Sequence, residues 1–378
     1  MMGLQRVVLV FLAWTGIALG DLELVLPPVL HGVVGTELNV YFDNVVLSEK
    51  PEAFRYEVTC DVGKVDGMRW TAVPETAGRH EWKLVVRDQA GAVIEEERMI
   101  VLVAPKEAGA GQGLRMLIVG DSLTNATQYP NEIARRLSEP GNPTWTMIGT
   151  HRPPSAKPGV AHEGYGGWKW VDFLQKHDPK AVGVTAGPLA RKSTSPFLFA
   201  EEAGGVRLDL PRYFRENAGG EAPEVVTFLL GINDCFGANP NDRTAMAVKI
   251  DEVLDQAEKL LAVFREAAPK TALAVGLTTP PNARESGFEA NYKGKYHRWG
   301  WKRIQHRLVQ RMIERLGGRE NEGIYLVATE LGLDPVSGYP VDNGVHPNAV
   351  GYAQVGGAFF GWLKCWLTET EPGFKKMR

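Results

Sequence analysis

Arg115-Met-Leu-Ile-Val-Gly-Asp-Ser-Leu-Thr124 is the stretch whose reading decides the fold. The unbroken apolar run Met116 to Val119 suits a strand buried on both faces, as in a parallel sheet covered by helices. Gly120 ends the run, and a helix is expected soon after, at 131–137. Ser122 therefore stands at the carboxyl end of a strand, where sheets of this kind bind ligands. A serine hydroxyl is a weak nucleophile until a base takes its proton. Its backbone N–H, near a helix N-terminus, points at developing negative charge. The spacing is not the GxSxG elbow of α/β-hydrolases. Read alone, Ser122 serves equally well as a cap of the following turn.

The same alternation continues outward. Apolar strands are expected at 145–149, 225–230 (VVTFLL), 271–277 and 324–327. Helices are expected at 168–175, 247–268, 299–316 and 348–367. In 247–268 the residues Ile250, Val253, Leu254, Ala257, Leu260, Leu261 and Phe264 share one helical face. Strands alternating with helices imply a three-layer α/β/α domain with a parallel sheet, over residues 114–378. Before it, residues 21–105 read as all-β, with strands at 38–45, 55–60, 70–72, 80–86 and 94–103. That density of short strands suggests a small β-sandwich, immunoglobulin-like in the loose sense. Residues 106–113 (KEAGAGQG) read as a linker. The long insert at 177–223 is expected to wall the substrate site.

Bulk properties exclude some partners. With 42 basic and 45 acidic residues the formal net charge is -3, so nothing global favours nucleic acid or an anionic membrane. Arg6 precedes an apolar run at 7–20 that reads as a signal peptide, with Ala18 and Gly20 as the small residues before a cut at Asp21. The mature chain is then secreted, periplasmic or otherwise extracytoplasmic. The competing reading is an uncleaved anchor, but the run falls short of the roughly 20 apolar residues of a bilayer span. The later stretch 350–367 is interrupted by Gln354, Lys364 and several glycines, so no stable membrane insertion is expected. Of the cysteines, Cys60, Cys235 and Cys365, the last two are open to a disulfide or to lives as buried thiols. No CxxC or Cys/His cluster indicates a metal, and no cofactor is expected.

Three further segments carry chemistry. Leu230-Gly-Ile-Asn-Asp-Cys235 follows the most apolar strand, where an Asn amide can donate to an oxyanion or simply close a turn. His162-Glu-Gly-Tyr-Gly-Gly-Trp168 has glycines that suit a backbone N–H turned toward an anion. Val341-Asp-Asn-Gly-Val-His-Pro-Asn348 precedes the last helix and offers His346 as a general base beside a carboxylate. A lone histidine in a turn is more commonly a solvent-facing one.

Together, in this order, the segments resemble the SGNH (GDSL) hydrolase superfamily. The first block matches Gly120-Asp121-Ser122-Leu123, the third Gly231-Ile232-Asn233-Asp234, and the fifth Asp342 to His346-Pro347. The second is looser: Gly167 best matches its oxyanion glycine, with Gly166 and Gly164 as alternatives. The resemblance covers roughly residues 114–367. It implies a flavodoxin-like fold and a serine esterase with Ser122 as nucleophile, His346 as base and Asp342 as the third member. The Ser122 N–H, the Gly167 N–H and the Asn233 side chain would form the oxyanion hole, flanked by Asp121, Trp168 and Asp234 as substrate-binding residues. One departure is plain: the family has Asp-x-x-His, and Asp342-x-x-x-His346 is one residue longer, so a backbone carbonyl is the alternative to Asp342. A secreted β-sandwich joined to such a domain is similar to carbohydrate esterases that remove acetyl groups from polysaccharides. Trp168, Trp170, Tyr292, Tyr296, Trp299 and Trp301 could stack on sugars, or pack internally. Arg298, Lys302, Arg303, Arg307 and Arg311 could meet an acidic glycan, or form a solvated face. The competing functions are a lipolytic esterase or thioesterase, and a glycan-binding surface protein with a weak site.

Overall fold

The computed structural model describes residues 22–178, 193–202 and 204–370. The expected signal segment, 1–20, lies outside these residues. The N-terminal part runs β1 (Glu23–Leu24), β2 (Val29–Val33), β3 (Leu38–Tyr41), α1 (Phe42–Val45), β4 (Val46–Leu47), β5 (Arg55–Thr59), β6 (Lys64–Asp66), β7 (Arg69–Ala72), β8 (Gly78–Arg87) and β9 (Val93–Ala104). Burial alternates along β8, where His80, Trp82, Leu84 and Val86 point inward, the period of two of a strand with one solvated face. One sheet has the order β2-β9-β8-β5 and another β3-β7-β6. They share a core that includes Val40, Trp70, Trp82, Leu84 and Val101, with Trp70 and Trp82 edge to face at 6.1 Å. The strand expected at 38–45 is shorter. It gives way to α1, because Asn44 turns inward and its Nδ2 donates to the carbonyls of Glu330, Leu331 and Leu333.

The larger part runs β10 (Gly113–Gly120), α2 (Ser122–Asn125), α3 (Gln128–Leu137), β11 (Thr144–Ile148), β12 (Glu163–Gly164), α4 (Trp170–Gln175), β13 (Leu198–Ala200), β14 (Val206–Leu208), α5 (Leu210–Asn217), β15 (Val225–Leu229), α6 (Ile232–Cys235), α7 (Arg243–Ala267), β16 (Ala272–Gly276), α8 (Glu285–Tyr292), α9 (Arg298–Leu316), β17 (Ile324–Val327) and α10 (Ala349–Thr370). The main sheet is parallel, in the order β11-β10-β15-β16-β17, and β12 pairs with the end of β10. Every residue of β15 and β16 is buried, as their continuous apolar runs require. On one face Phe264 of α7 packs edge to face on Phe228 of β15, at 5.3 Å. On the other, α10 lies so close that a Cβ on Gly276 would come within 2.8 Å of Phe359. The fold is therefore α/β with helices on both faces and, in its N-terminal part, sheets that are antiparallel apart from the parallel β2–β9 pair.

Several expectations shift. Helix α7 begins four residues early because Asp242 caps it, accepting from Ala245 N at 2.9 Å. Residues 106–113 are no loose tether: Ala108 is buried, and its carbonyl accepts from Lys364 on α10. The basic positions of α9 are spent on neighbours. Arg311 pairs with Asp251 at 2.6 Å, Arg303 donates to Asn241, and Lys302 forms a buried ion pair with Asp43 of α1. All three cysteines are free thiols, with Cys235 and Cys365 buried. Among the described residues, no helix is long and apolar enough to cross a membrane. The insert falls partly on 179–192, outside the described residues. Its described part folds back on the body, with Phe197 edge to face on Phe264 at 5.4 Å and Tyr213 donating to Glu163 at 2.6 Å.

Candidate active site

Ser122 sits at the first position of α2, directly beyond β10. The turn is tight for a steric reason. A Cβ on Gly120 would lie 1.9 Å from Thr124 Oγ1, and one on Gly164 would lie 2.4 Å from Thr124 Cβ. Thr124 is thus wedged between two strand-end glycines, and its hydroxyl meets Tyr129 OH at 2.7 Å. Asp121 caps the turn by accepting from Leu123 N at 2.9 Å. This leaves the half-buried Ser122 hydroxyl turned outward, 2.8 Å from His346 Nε2. The residues are 224 apart in sequence. Ser122 follows the carboxyl end of β10, where the strand-end rule places ligands, and His346 reaches it from the loop before α10.

Asn233 comes from the turn after β15, where Gly231 holds φ +122, a backbone that favours glycine. Its Nδ2 donates to Trp168 O at 3.0 Å and to Asp121 Oδ2 at 3.3 Å, so the first and third blocks are tied through their own side chains. Of the glycine candidates, Gly164 is excluded as a free donor, because its N–H goes to His162 Nδ1 at 3.1 Å. That bond leaves the His162 proton on Nε2, which faces Thr127 Oγ1 at 3.1 Å. Burial lowers the pKa of His162 to about 3, so it braces the second block as a neutral ring. Gly167 is exposed, at φ +80.

Four sequence-based assignments need correction. Asp121, Trp168 and Asp234, expected to face a substrate, are almost fully buried, at 1%, 1% and 5% exposure. Trp168 packs on Tyr165 and Phe173, with centroids at 4.5 and 4.9 Å. Asp234 accepts from Trp170 N at 3.1 Å. Burial pushes both carboxyls up to about 7, and the nearby Asp234 charge adds to the rise at Asp121. The fourth is Asp342. It is exposed and makes no hydrogen bond to His346; the group at His346 Nδ1 is Asn343 Oδ1, 3.2 Å away. Asn343 is the residue sequence reasoning missed, and spacing alone would have found it, since it stands three before the histidine, where the family's Asp-x-x-His has its aspartate.

An aromatic cluster follows Asn233 in the chain. Phe236 stands three residues after Asn233 and meets Tyr296 at 4.9 Å, Tyr292 at 5.6 Å and Trp301 at 4.7 Å. Phe236, Tyr292 and Tyr296 are half-buried, as is Trp299, while Trp170 and Trp301 are core residues. One turn beyond Ser122, the exposed Asn125 accepts through Oδ1 from His151 Nε2–H at 2.8 Å. Cavities of about 510 and 490 Å³ lie elsewhere, along α10 and α3, and neither is lined by Ser122, Asn233 or His346. Among the described residues, no group of three or more His, Cys, Asp or Glu side chains could hold a metal.

A hydroxyl and an amide donor just beyond neighbouring strand ends, with an imidazole at hydrogen-bond distance from the hydroxyl, suit acyl transfer. The sequence from Met116 to Phe359 matches the GDSL-like lipase/acylhydrolase family. The chain belongs to that family. This GDSL-like acylhydrolase is accordingly a hydrolase acting on esters. No curated protein matches it by sequence. Among solved structures it is similar to a carbohydrate esterase family 3 protein from Talaromyces cellulolyticus, at 16% identity and TM-score 0.45, covering 68% of this chain and 100% of that one. It is also similar to a Clostridium thermocellum family 3 carbohydrate esterase, at 17% identity and TM-score 0.39, covering 68% and 98%. A Corynascus thermopiles family 2 enzyme with a carbohydrate-binding domain matches at 14% identity and TM-score 0.34, over 88% and 91%. Likenesses this remote carry no weight for substrate.

Proposed function

We propose that this GDSL-like acylhydrolase is an exported serine esterase that removes acetyl groups from a carbohydrate, with Ser122 as nucleophile and His346 as base. The 2.8 Å contact between Ser122 Oγ and His346 Nε2 is the observation that carries this reading. As Oγ bonds to the ester carbonyl carbon, its proton passes to Nε2 and the carbonyl electron pair moves to oxygen. The Ser122 N–H, the Gly167 N–H and Asn233 Nδ2 hold that oxyanion. Collapse expels the alcohol, which takes the proton from Nε2, and water releases the acid by the same steps in reverse. Export is supported by the apolar run at 7–20. A sugar is supported by the half-buried faces of Phe236, Tyr292 and Tyr296, which follow Asn233 and suit stacking.

Hydrolysis of p-nitrophenyl acetate, butyrate and octanoate by the chain from Asp21, and by Ser122→Ala, tests this. Acetate is expected to be preferred, and the substitution to remove activity. A preference for octanoate would overturn the acetyl reading in favour of a lipolytic one. Activity surviving in Ser122→Ala would overturn the nucleophile.

A further inference from the structure

A histidine can accept the serine proton only if the nitrogen facing the serine is bare. In His346 the other nitrogen decides this. Nδ1 lies 3.2 Å from Asn343 Oδ1, and the same atom receives Val345 N at 3.1 Å and His346 N at 2.9 Å. Backbone N–H groups only donate, so the atom on which they converge is the amide oxygen and not the NH₂. That oxygen cannot donate, so the ring proton sits on Nδ1 and leaves Nε2 bare toward Ser122. We propose that Asn343 is the positioning residue of this site, holding His346 in the base-competent tautomer with a neutral amide where a carboxylate would otherwise stand. This rests on the Ser122–His346 reading above.

The loop is built to keep Asn343 in place. Asn282, fully buried, donates through Nδ2 to Pro340 O at 2.8 Å and to Asn343 O at 2.9 Å, and its own N–H bonds Gly344 O at 2.9 Å. Asp342 is left on the outside of the turn.

A neutral partner orients the ring but gives no counter-charge to the imidazolium formed in acyl transfer. Among the described residues no other group supplies one. On the turn after β10, Asp121 is engaged with Leu123 and Asn233. Tyr339 donates to Pro280 O, Arg284 is spent on the carbonyls of Val336 and Tyr339, and Tyr352 on α10 makes no bond to the ring. Burial alone accounts for the pKa of His346, which lies below the usual 6.5. The neutral base form thus persists to lower pH than in an aspartate-paired site.

The test is a pair of pH titrations, of kcat/KM and of the His346 ring protons by NMR, for wild type, Asn343→Asp, Asn343→Ala and Asp342→Asn. Asn343→Asp is expected to move both the acid limb and the ring pKa upward by about one unit or more, since an anion would then face Nδ1. Asn343→Ala is expected to lower kcat about tenfold or more, with little change in KM, because the tautomer is no longer held. Asp342→Asn should match wild type. A carboxylate oxygen can take the same two backbone N–H bonds, so Asn343→Asp keeps the turn even if the alanine variant fails to fold. An unmoved ring pKa in Asn343→Asp, or a loss of kcat in Asp342→Asn, would overturn the proposal. The NMR arm does not depend on turnover, so it separates failure here from failure of the Ser122 reading.

Discussion

Both amide hydrogens of Asn233 are engaged in the resting site, one by Trp168 O at 3.0 Å and one by Asp121 Oδ2 at 3.3 Å. The longer bond is the one an oxyanion would displace. Asn233→Ala is expected to lower kcat by about 10²–10³ with KM nearly unchanged, the cost of losing one oxyanion donor. Asn233→Asp should do worse, because it sets a third carboxylate beside Asp121 and Asp234. Steady-state kinetics of both variants check this, and equal activity in Asn233→Ala and wild type would remove Asn233 from the oxyanion hole. The places of Asn233, Ser122 and His346 were legible in the sequence, because each stands beside a strand end or a helix start that apolar periodicity marks. What Asp121, Trp168 and Asp234 do was not legible. Adjacency to a site residue does not tell which way a side chain points, and here all three point into the core. At 342–343 the chemical preference for a carboxylate outweighed the spacing, although the amide oxygen of Asn343 meets the same geometric need.

Helix α8 is the element that joins the two sides of the crevice. Phe288 packs on the His346 loop, and Tyr292, one turn on, meets Phe236 beside Asn233 at 5.6 Å. The contact with the loop is tight: a Cβ on Gly344 would lie 2.9 Å from the ring of the fully buried Phe288. The backbone at Gly344 is not left-handed, so an alanine there meets only this steric obstacle. Gly344→Ala should therefore push the loop off its seat and lower kcat by about tenfold to a hundredfold, the usual effect of a misplaced catalytic group. Adding Phe288→Leu should recover most of the loss, as measured by kcat and by thermal melting. If the double variant is no better than the single one, α8 does not set the loop. Sequence periodicity missed α8 because only Phe288 and Tyr292 give it an apolar face. It caught β10, β15 and β16 because strands buried on both faces are apolar at nearly every position.

Over the whole molecule, the β-rich part and the sheet-and-helix part are locked together. Ala328 and Leu331 belong to the N-terminal core, Val33 and Leu102 to the larger one, and Asp43–Lys302 is a buried pair across the boundary. Asn44 holds the carbonyls of Glu330, Leu331 and Leu333, at the start of the segment that leads to His346. Between them lies Glu330, whose carboxyl is fully buried with both oxygens unpartnered, and burial pushes its pKa up to about 8. A carboxyl raised above its unfolded value near 4.3 keeps its proton longer in the folded state, so stability falls as pH climbs toward the folded pKa. Asp121 and Asp234, at about 7, act in the same direction. Buried His162 and His306, lowered to about 3 and 4, act oppositely, but only below the unfolded histidine value of 6.5. From pH 6.5 to 8 the carboxyls alone among these groups still change, so Tm should decline over that window. Because each part lends residues to the other's core, the melt should be one cooperative transition. Glu330→Gln removes the charge but keeps the shape, so it should raise Tm at pH 8 more than at pH 6 and flatten the decline. Two separate melting steps would show that the parts unfold independently. A Glu330→Gln variant with an unchanged slope would show that the carboxyl finds water or a partner in solution.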